Sequence, residues 1–188
     1  MKNDLAILIL AAGTSSRLGE PKQLVKYKEE TLLYNSCKKT LSLKAEVFVV
    51  LGSHFTRCKK EIEDLDINII ENKDYKNGLS SSLIKGISKV QNYEKVLVLL
   101  CDQPFIPKTH LDKLIEESKK TDKIICSFYE NSLGVPALFP KKVFSSFLEL
   151  KGDKGAKAII SKFDNLAITL EDNLSLDIDI QEDKKYLI

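Results

Sequence analysis

Two runs of the sequence, LAILIL at residues 5–10 and VLVLLC at residues 96–101, are apolar without interruption. A strand with one face in water alternates apolar and polar residues, whereas an uninterrupted run indicates a strand that is covered on both faces. The two runs therefore predict central strands of a sheet that has helices on both sides.

Strand-like and helix-like segments alternate along most of the chain. Apolar runs predict strands at residues 6–10, 46–51, 67–71, 96–101, 123–128, 136–139 and 166–170. Patterns of helical period predict helices at residues 31–41, 56–64, 80–91, 109–119, 141–148 and 154–163. Such alternation is typical of parallel sheets with crossover helices. We therefore predict an α/β fold, in which a single domain over residues 1–188 forms a three-layer, doubly wound, mostly parallel sheet.

The composition excludes several classes of function. The 29 Lys and Arg residues nearly balance the 27 Asp and Glu residues, with no basic block that would favour nucleic acid. No apolar run approaches the roughly 20 residues that span a bilayer. Cys101 and Cys126 end apolar runs, which indicates buried, reduced thiols. Reduced thiols are typical of the cytosol, so we expect a cytoplasmic protein. His54 and His110 are the only histidines, so any metal should have oxygen ligands.

The first residues are open to two interpretations. Lys2 followed by the apolar residues 5–12 resembles the start of a secretory signal peptide. Against this, Asp4 offsets the charge of Lys2, and the polar, turn-rich residues 13–22 resemble a ligand-binding loop. We therefore expect a strand followed by such a loop, in a chain that begins at or near Met1.

The loop after the first predicted strand has the chemistry of a phosphate site. Its glycine and hydroxyl residues allow a tight turn whose backbone N–H groups can face an anion, and Arg17 and Lys22 add full charges. Gly13 and Gly19 do not have the spacing of a Walker A loop, and no G-x-G-x-x-G is present. A glycine-rich turn with solvated cations is the alternative.

The loop after the second apolar run begins with Asp102. A carboxylate at the end of a buried strand can hold a hard cation such as Mg²⁺ beside phosphate oxygens. A helix N-cap or a turn-forming Asp would place the same residue there without any metal.

Six segments, taken in order, resemble the motifs of the nucleotidyltransferases related to molybdopterin guanylyl- and cytidylyltransferases, the MobA/MocA-like family. They are LAAGTSSRLG with PKQL at residues 10–24, NGLSSSL at 77–83, DQP at 102–104, GVPALF at 134–139, GDKGAK at 152–157 and DIDIQED at 177–183. The resemblance covers essentially the whole chain. It implies a Rossmann-like nucleotidyltransferase fold and the transfer of a nucleoside monophosphate from an NTP to the terminal phosphate of an acceptor, with release of pyrophosphate.

The resemblance also implies roles for individual residues. Arg17 would bind the leaving phosphates, and Lys22 would contact the α-phosphate and the acceptor phosphate. Asp102 would hold Mg²⁺, with Asp179 as the second ligand and Asp177 as the competing choice. The further nucleotide-binding residues implied are Leu10, Ala11, Ala12, Gly13, Thr14, Ser15, Ser16, Gly78, Leu79, Ser80 and Ser81.

The resemblance further implies that Pro136, Asp153 and Lys157 bind the acceptor. Val135 stands where many relatives place His, and Lys157 stands where Arg is usual, so the planar fork of Arg is lost there. Guanylyl-specific relatives tend to carry Gly-Gly where this chain has Ala11-Ala12-Gly13, so the resemblance implies CTP as the donor, with molybdopterin as the acceptor. Two alternatives stay open: another phosphorylated acceptor, such as a sugar phosphate or methylerythritol phosphate, or a non-catalytic accessory that delivers cofactor to a molybdoenzyme.

Overall fold

The computed structural model describes residues 4–187, so the expectation about Met1 lies outside the described residues. Seven strands form one sheet, and two short strands pair only with each other. In chain order the strands are β1 (Leu5–Ala11), β2 (Lys26–Tyr27), β3 (Glu30–Thr31), β4 (Glu46–Leu51), β5 (Asn68–Glu71), β6 (Lys95–Leu100), β7 (Ile124–Tyr129), β8 (Ser132–Pro140) and β9 (Asn165–Thr169).

The sheet is mostly parallel, as predicted, and its strand order is β5-β4-β1-β6-β8-β7-β9. Strand β8 alone runs antiparallel to its neighbours β6 and β7. The chain leaves β1 toward β4 on one side and later returns to β6 on the other. In open α/β sheets, ligands bind where the order reverses in this way, at the carboxyl ends of the strands. The ends of β1 and β6 are therefore the expected position of a site.

Helices cover both faces of the sheet, which confirms the three-layer prediction. They are α1 (Leu32–Leu41), α2 (Phe55–Glu61), α3 (Leu79–Lys89), α4 (Lys108–Ser118), α5 (Phe144–Phe147) and α6 (Ala156–Ile160). Buried residues of α3, α5 and α6 pack with Leu8 and Leu10 of β1. Buried residues of α1, α2 and α4 pack with Ile7 and Ile9 on the opposite face. Successive residues of LAILIL thus enter two different cores, which is why the run has no polar position.

The structure differs from the prediction at β2 and β3, which were not predicted, at the helix predicted for residues 56–64, which ends at Glu61, and between residues 129 and 163. Strand β8 starts at Ser132 because Glu130 and Asn131, with φ of 49° and 55°, form a tight turn between β7 and β8. The helix predicted at residues 154–163 ends at Ile160, where the Asn165 side chain donates to the Ile160 carbonyl at 3.1 Å. The helix predicted at residues 141–148 is a 3₁₀ turn followed by the single turn of α5.

Two expectations from composition can be compared with the structure. Cys37, Cys58, Cys101 and Cys126 are all free and buried, as expected for Cys101 and Cys126. Over residues 4–187, none of the helices has the length and apolar character needed to cross a membrane.

Candidate active site

A cavity of about 590 Å³ opens at the carboxyl ends of β1 and β6. Its walls come from the loop after β1, from the start of α3, from Asp102 after β6 and from the C-terminal segment. Arg17, Lys22 and Asp179 all line it, so the fold brings together groups that are far apart in sequence. This is the position that the reversal of strand order predicts.

The loop after β1, which we call the phosphate loop and define as residues 12–17, presents free backbone donors. The N–H groups of residues 13–17 donate to no acceptor among residues 4–187. Ser15 has φ of 56°, and its hydroxyl oxygen accepts from the backbone N–H of Lys22 at 2.9 Å. Successive free N–H groups around a left-handed residue form a concave anion site. The left-handed residue is Ser15, whereas Gly13 has no positive φ.

Gln23 supports the phosphate loop from behind. Its side chain is completely buried, and its amide nitrogen donates to the carbonyls of Ala11 and Gly13 at 2.9 and 2.8 Å. The sequence alone does not distinguish Gln23 from its neighbours, because its hydrogen-bond partners depend on how the loop folds back on itself.

Lys22 is the central cation of the cavity. Its ammonium group contacts the Asp102 carboxylate and lies 2.8 Å from Asp179 Oδ1. Burial disfavours the charged form of Lys22, but the charge and hydrogen bonds of Asp102 and Asp179 outweigh it and raise the pKa of Lys22 above its ordinary value. Lys22 is therefore held as a cation inside the cavity.

Asp179 joins Lys22 to Arg17. Its second oxygen accepts from Arg17 Nη2 at 2.9 Å. Partial burial alone would raise the pKa of Asp179. The hydrogen bonds and charges of Lys22 and Arg17 have the larger effect and hold the pKa below its ordinary value. The Arg17 side chain is 72% exposed, so its guanidinium can reach a ligand at the mouth of the cavity.

One carboxylate oxygen of Asp102 has no partner among the described residues. Oδ2 contacts Lys22, whereas Oδ1 is buried and has no hydrogen-bond partner among the described residues. A buried carboxylate oxygen without a partner is costly unless a ligand satisfies it, and a hard divalent cation is such a ligand. Among residues 4–187, no three Asp, Glu, His or Cys side chains lie close enough together to hold a metal ion by themselves. Asp102 and Asp179 both contact the Lys22 ammonium group, so their carboxylates lie beside each other in the cavity.

Asp177, the competing metal ligand, also lines the cavity. Desolvation of its carboxyl and the neighbouring Asp102 charge raise the pKa of Asp177 to about 7, although the residue as a whole remains exposed. Unlike Asp179, it forms no ion pair with Lys22. The contact with Lys22 therefore distinguishes Asp179 from Asp177.

The start of α3 closes the cavity opposite the phosphate loop. Gly78, Leu79 and Ser82 line it. Ser80 and Ser81, our sequence candidates, line a separate hollow instead, and the Ser81 hydroxyl donates to the Gly78 carbonyl at 2.8 Å. Tyr75, Lys76 and Ser82 are lining residues that the sequence analysis missed.

A second cavity of about 250 Å³ adjoins the first on the β8 side. Val135 and Lys157 line it, and the Lys157 ammonium group donates to the Ser132 hydroxyl. Pro136 is buried and accepts a hydrogen bond from Ser127 through its carbonyl at 2.7 Å, outside both linings. Asp153 lines the first cavity. Of the three acceptor candidates, Lys157 alone faces the second cavity.

Comparison with known proteins shows similarity over the same elements. Residues 7–167 match the model of the MobA-like NTP transferase domain. The molybdenum cofactor cytidylyltransferase of Escherichia coli K12 is 25% identical over 178 residues, which are 94% of this chain and 91% of that protein. A structure described as the homologue of rv0371c from Mycobacterium sp. strain JC1 superimposes with a TM-score of 0.87 and 29% identity, covering 100% and 96% of the two chains.

Two further relatives are matched over shorter stretches. The bifunctional protein GlmU of Aliarcobacter butzleri is 35% identical over 116 residues, and a probable molybdenum cofactor guanylyltransferase of Bacillus mycoides is 32% identical over 122 residues. These alignments take in 60% and 63% of this chain. They span only 26% and 59% of the length of the two relatives.

Proposed function

Since the chain belongs to the MobA-like NTP transferase domain family, a family of nucleotidyltransferases, we propose that it transfers a nucleoside monophosphate from an NTP to the terminal phosphate of an acceptor. We propose CTP as the donor and molybdopterin or molybdenum cofactor as the acceptor, with pyrophosphate as the second product. The similarity to the Escherichia coli cytidylyltransferase over nearly the whole chain supports this choice.

The position of Lys22 carries the proposal. Its ammonium group lies inside the cavity, only 17% of its side chain is exposed, and two carboxylates keep it charged. Negative charge develops around the α-phosphate during transfer, and a cation fixed at that point stabilises the transition state more than a mobile cation in water does. Lys22 is therefore assigned to the α-phosphate and to the incoming acceptor oxygen.

The phosphate loop and Arg17 are assigned to the leaving group. The free N–H groups of residues 13–17 can bind the β- and γ-phosphates, and the exposed guanidinium of Arg17 can pair with them in a planar, bidentate manner. Together they hold pyrophosphate as it separates.

Nucleotidyltransferases of this family generally use a divalent metal, and we propose Mg²⁺ held by Asp102 and Asp179. When bound, the ion neutralises charge on the phosphate oxygens. The unpartnered Oδ1 of Asp102 supports this assignment. Asp179 must then leave Arg17 or Lys22 in part, which phosphate oxygens allow because they supply the same cations with new anionic partners.

The reaction needs no strong general base. The terminal phosphate of the acceptor is already anionic near neutral pH, so positioning and charge neutralisation supply the catalysis. His110 is buried against Ser127, with 2.8 Å between Nε2 and Oγ, and does not line the cavity. This arrangement fits a reaction in which imidazole has no part.

The alternatives differ in what they require of the site. Another phosphorylated acceptor would use the same nucleotide half and differ at the second cavity. A delivery accessory would need binding without transition-state charges. The buried, doubly paired Lys22 favours catalysis over delivery.

The proposal is tested by pyrophosphate release from the purified protein with Mg²⁺, each of the four NTPs, and either molybdopterin or methylerythritol phosphate as acceptor. We expect release with CTP and molybdopterin. Release only with methylerythritol phosphate would replace the acceptor, and tight NTP binding without any release would favour the accessory role. Lys38→Ala, which removes an exposed lysine paired with Glu30, is the matched control for Lys22→Ala.

A further inference from the structure

We propose that Gln23 is a positioning residue that keeps the phosphate loop in its anion-binding orientation. The inference rests on the proposed function in one respect, that the phosphate loop receives the phosphates of the NTP.

Both polar atoms of the Gln23 side-chain amide form hydrogen bonds with residues 11–15. The side chain is 0% exposed, although it reaches the cavity wall. Its nitrogen donates to Ala11 O and Gly13 O, and its Oε1 accepts from the Ser15 hydroxyl at 3.4 Å. A buried amide with both hydrogens and its oxygen engaged leaves no freedom to rotate.

These contacts determine which way the loop N–H groups face. In a trans peptide, the carbonyl and the N–H of the next residue point in opposite directions. Because Gln23 holds the Gly13 carbonyl, the N–H of Thr14 points away from Gln23. That N–H is one of the donors without an acceptor among the described residues, and Thr14 lines the cavity. Without Gln23, the peptide between Gly13 and Thr14 could turn over and present a carbonyl to the anion.

Gln23 also joins the loop to the catalytic cation. It follows Lys22 directly in the 3₁₀ turn Lys22–Leu24. The backbone N–H of Lys22 donates to the Ser15 hydroxyl, and that hydroxyl donates to Gln23. The turn that carries Lys22 and the loop that presents the free N–H groups are therefore one hydrogen-bonded unit.

The experiment replaces the amide without changing side-chain length, in Gln23→Met, and measures binding of inorganic triphosphate by calorimetry in the absence of metal. We expect affinity to fall at least about tenfold, because one donor to an anion is lost when the peptide turns over. The matched control is Gln91→Met, which removes a glutamine that donates to the Ile87 carbonyl at the end of α3. It should bind triphosphate as the unchanged protein does.

The outcomes separate the two proposals. If the unchanged protein binds no triphosphate, the assignment of the phosphate loop and with it the proposed function fail. If it binds triphosphate and Gln23→Met binds equally well, the positioning role of Gln23 is overturned and the proposed function stands. In turnover assays, we expect Gln23→Met to raise the KM for NTP and to leave the KM for the acceptor unchanged, a separation that general loss of packing would not produce.

Amide hydrogen exchange in the unchanged protein tests the same proposal and does not depend on whether Gln23→Met folds. The Gln23 side-chain amide protons should exchange slowly with and without triphosphate, and the Thr14 amide proton should become protected only when triphosphate is added. Rapid exchange of the Gln23 protons, or a Thr14 signal that triphosphate does not affect, would overturn the proposal.

Discussion

Lys22 and Asp179, which are 157 residues apart in the chain, form an ion pair with 2.8 Å between Nζ and Oδ1. The same carboxylate binds Arg17 at 2.9 Å through its other oxygen. One side chain of the C-terminal segment thus engages both cations that we assign to the phosphates. An incoming triphosphate has to compete with Asp179 for them.

This competition predicts effects of opposite sign for Asp179→Asn. Without metal, NTP should bind about two- to fivefold more tightly, because a partly exposed ion pair of this strength no longer opposes it. With Mg²⁺, turnover should fall, because a proposed ligand is lost. Calorimetry without metal and a pyrophosphate assay with metal measure the two effects. Asp112→Asn, which removes the exposed partner of Lys108, should change neither. Weaker metal-free binding in Asp179→Asn would contradict the competition.

Lys22→Ala should lower kcat by about 10²–10³-fold, the usual effect of removing one fixed group that stabilises transition-state charge. The variant also leaves the buried Asp102 carboxylate without its cation, so its thermal stability has to be measured alongside its activity. Single-turnover kinetics at saturating NTP separate the two effects. A folded Lys22→Ala protein that keeps activity within a few-fold of normal would exclude Lys22 from the chemistry.

The buried His110 predicts a contribution to stability that depends on pH. Burial, with a smaller effect of Lys113, lowers the pKa of His110 to about 4, below the ordinary value of 6.5. A group with a depressed pKa in the folded state contributes stability that is complete above the unfolded pKa and is lost as the pH falls through the folded one. The contribution of His110 to the free energy of unfolding should therefore decline between about pH 6.5 and 4. Asp177 acts in the opposite direction, because its raised pKa adds stability as the pH falls through about 7.

His110→Met should be less stable than the unchanged protein at pH 7.5, and this difference in the free energy of unfolding should shrink as the pH falls from about 6.5 to 4. Denaturant unfolding at several pH values measures both quantities. His54→Asn provides the control, because His54 is exposed and has φ of 62°, a conformation that Asn adopts readily. An unchanged pH dependence in His110→Met would show that His110 does not contribute to it.

Lys157→Ala should raise the KM for the acceptor about tenfold and leave the KM for NTP unchanged, since Lys157 faces the second cavity and not the first. Steady-state kinetics with each substrate varied in turn test this. Lys162→Ala, which removes an exposed lysine paired with Glu149, is the control. An increase confined to the KM for NTP would place the acceptor elsewhere.

Gly78→Ala should destabilise the protein by about 1–3 kcal/mol. Gly78 has φ of +90°, and an added Cβ would lie 2.4 Å from the Gly152 backbone. Gly13→Ala should have little effect on stability, because its Cβ would meet nothing within 4 Å. Thermal unfolding of the two variants measures the contrast, and equal melting temperatures would contradict it.

The central strands, the layers and the family could be predicted from the sequence because their signals are local. The run LAILIL has no polar residue since both of its faces are buried, and this pattern can be read directly. The positions of Lys22 in the loop after β1 and of Asp102 just after β6 follow from the same pattern. That Asp102 and Lys22 would touch follows only from the strand order, which places β1 beside β6.

Other features depend on how distant segments pack. Gln23 has a role because the loop folds back over it, and nothing in the letters PKQL distinguishes it from a surface glutamine. In the same way, the direction in which α3 leaves Gly78 decides that Ser82 faces the cavity while Ser80 and Ser81 face another hollow. Three adjacent serines carry no signal that separates them.

The backbone N–H of Ile178 donates to the Asp102 carbonyl at 2.9 Å, and the Ile178 side chain is fully buried. The segment that supplies Asp177 and Asp179 is thus fastened to the middle of the chain, beyond the residues that match the family model. During synthesis from the N-terminus, Arg17 and Lys22 leave the ribosome long before Asp179, which pairs with both of them, exists. A nascent chain that has not yet reached residue 179 can pair Lys22 with Asp102 but lacks the carboxylate that Arg17 contacts in the folded protein. In that interval, polyphosphates of the cell meet Arg17 without competition from Asp179.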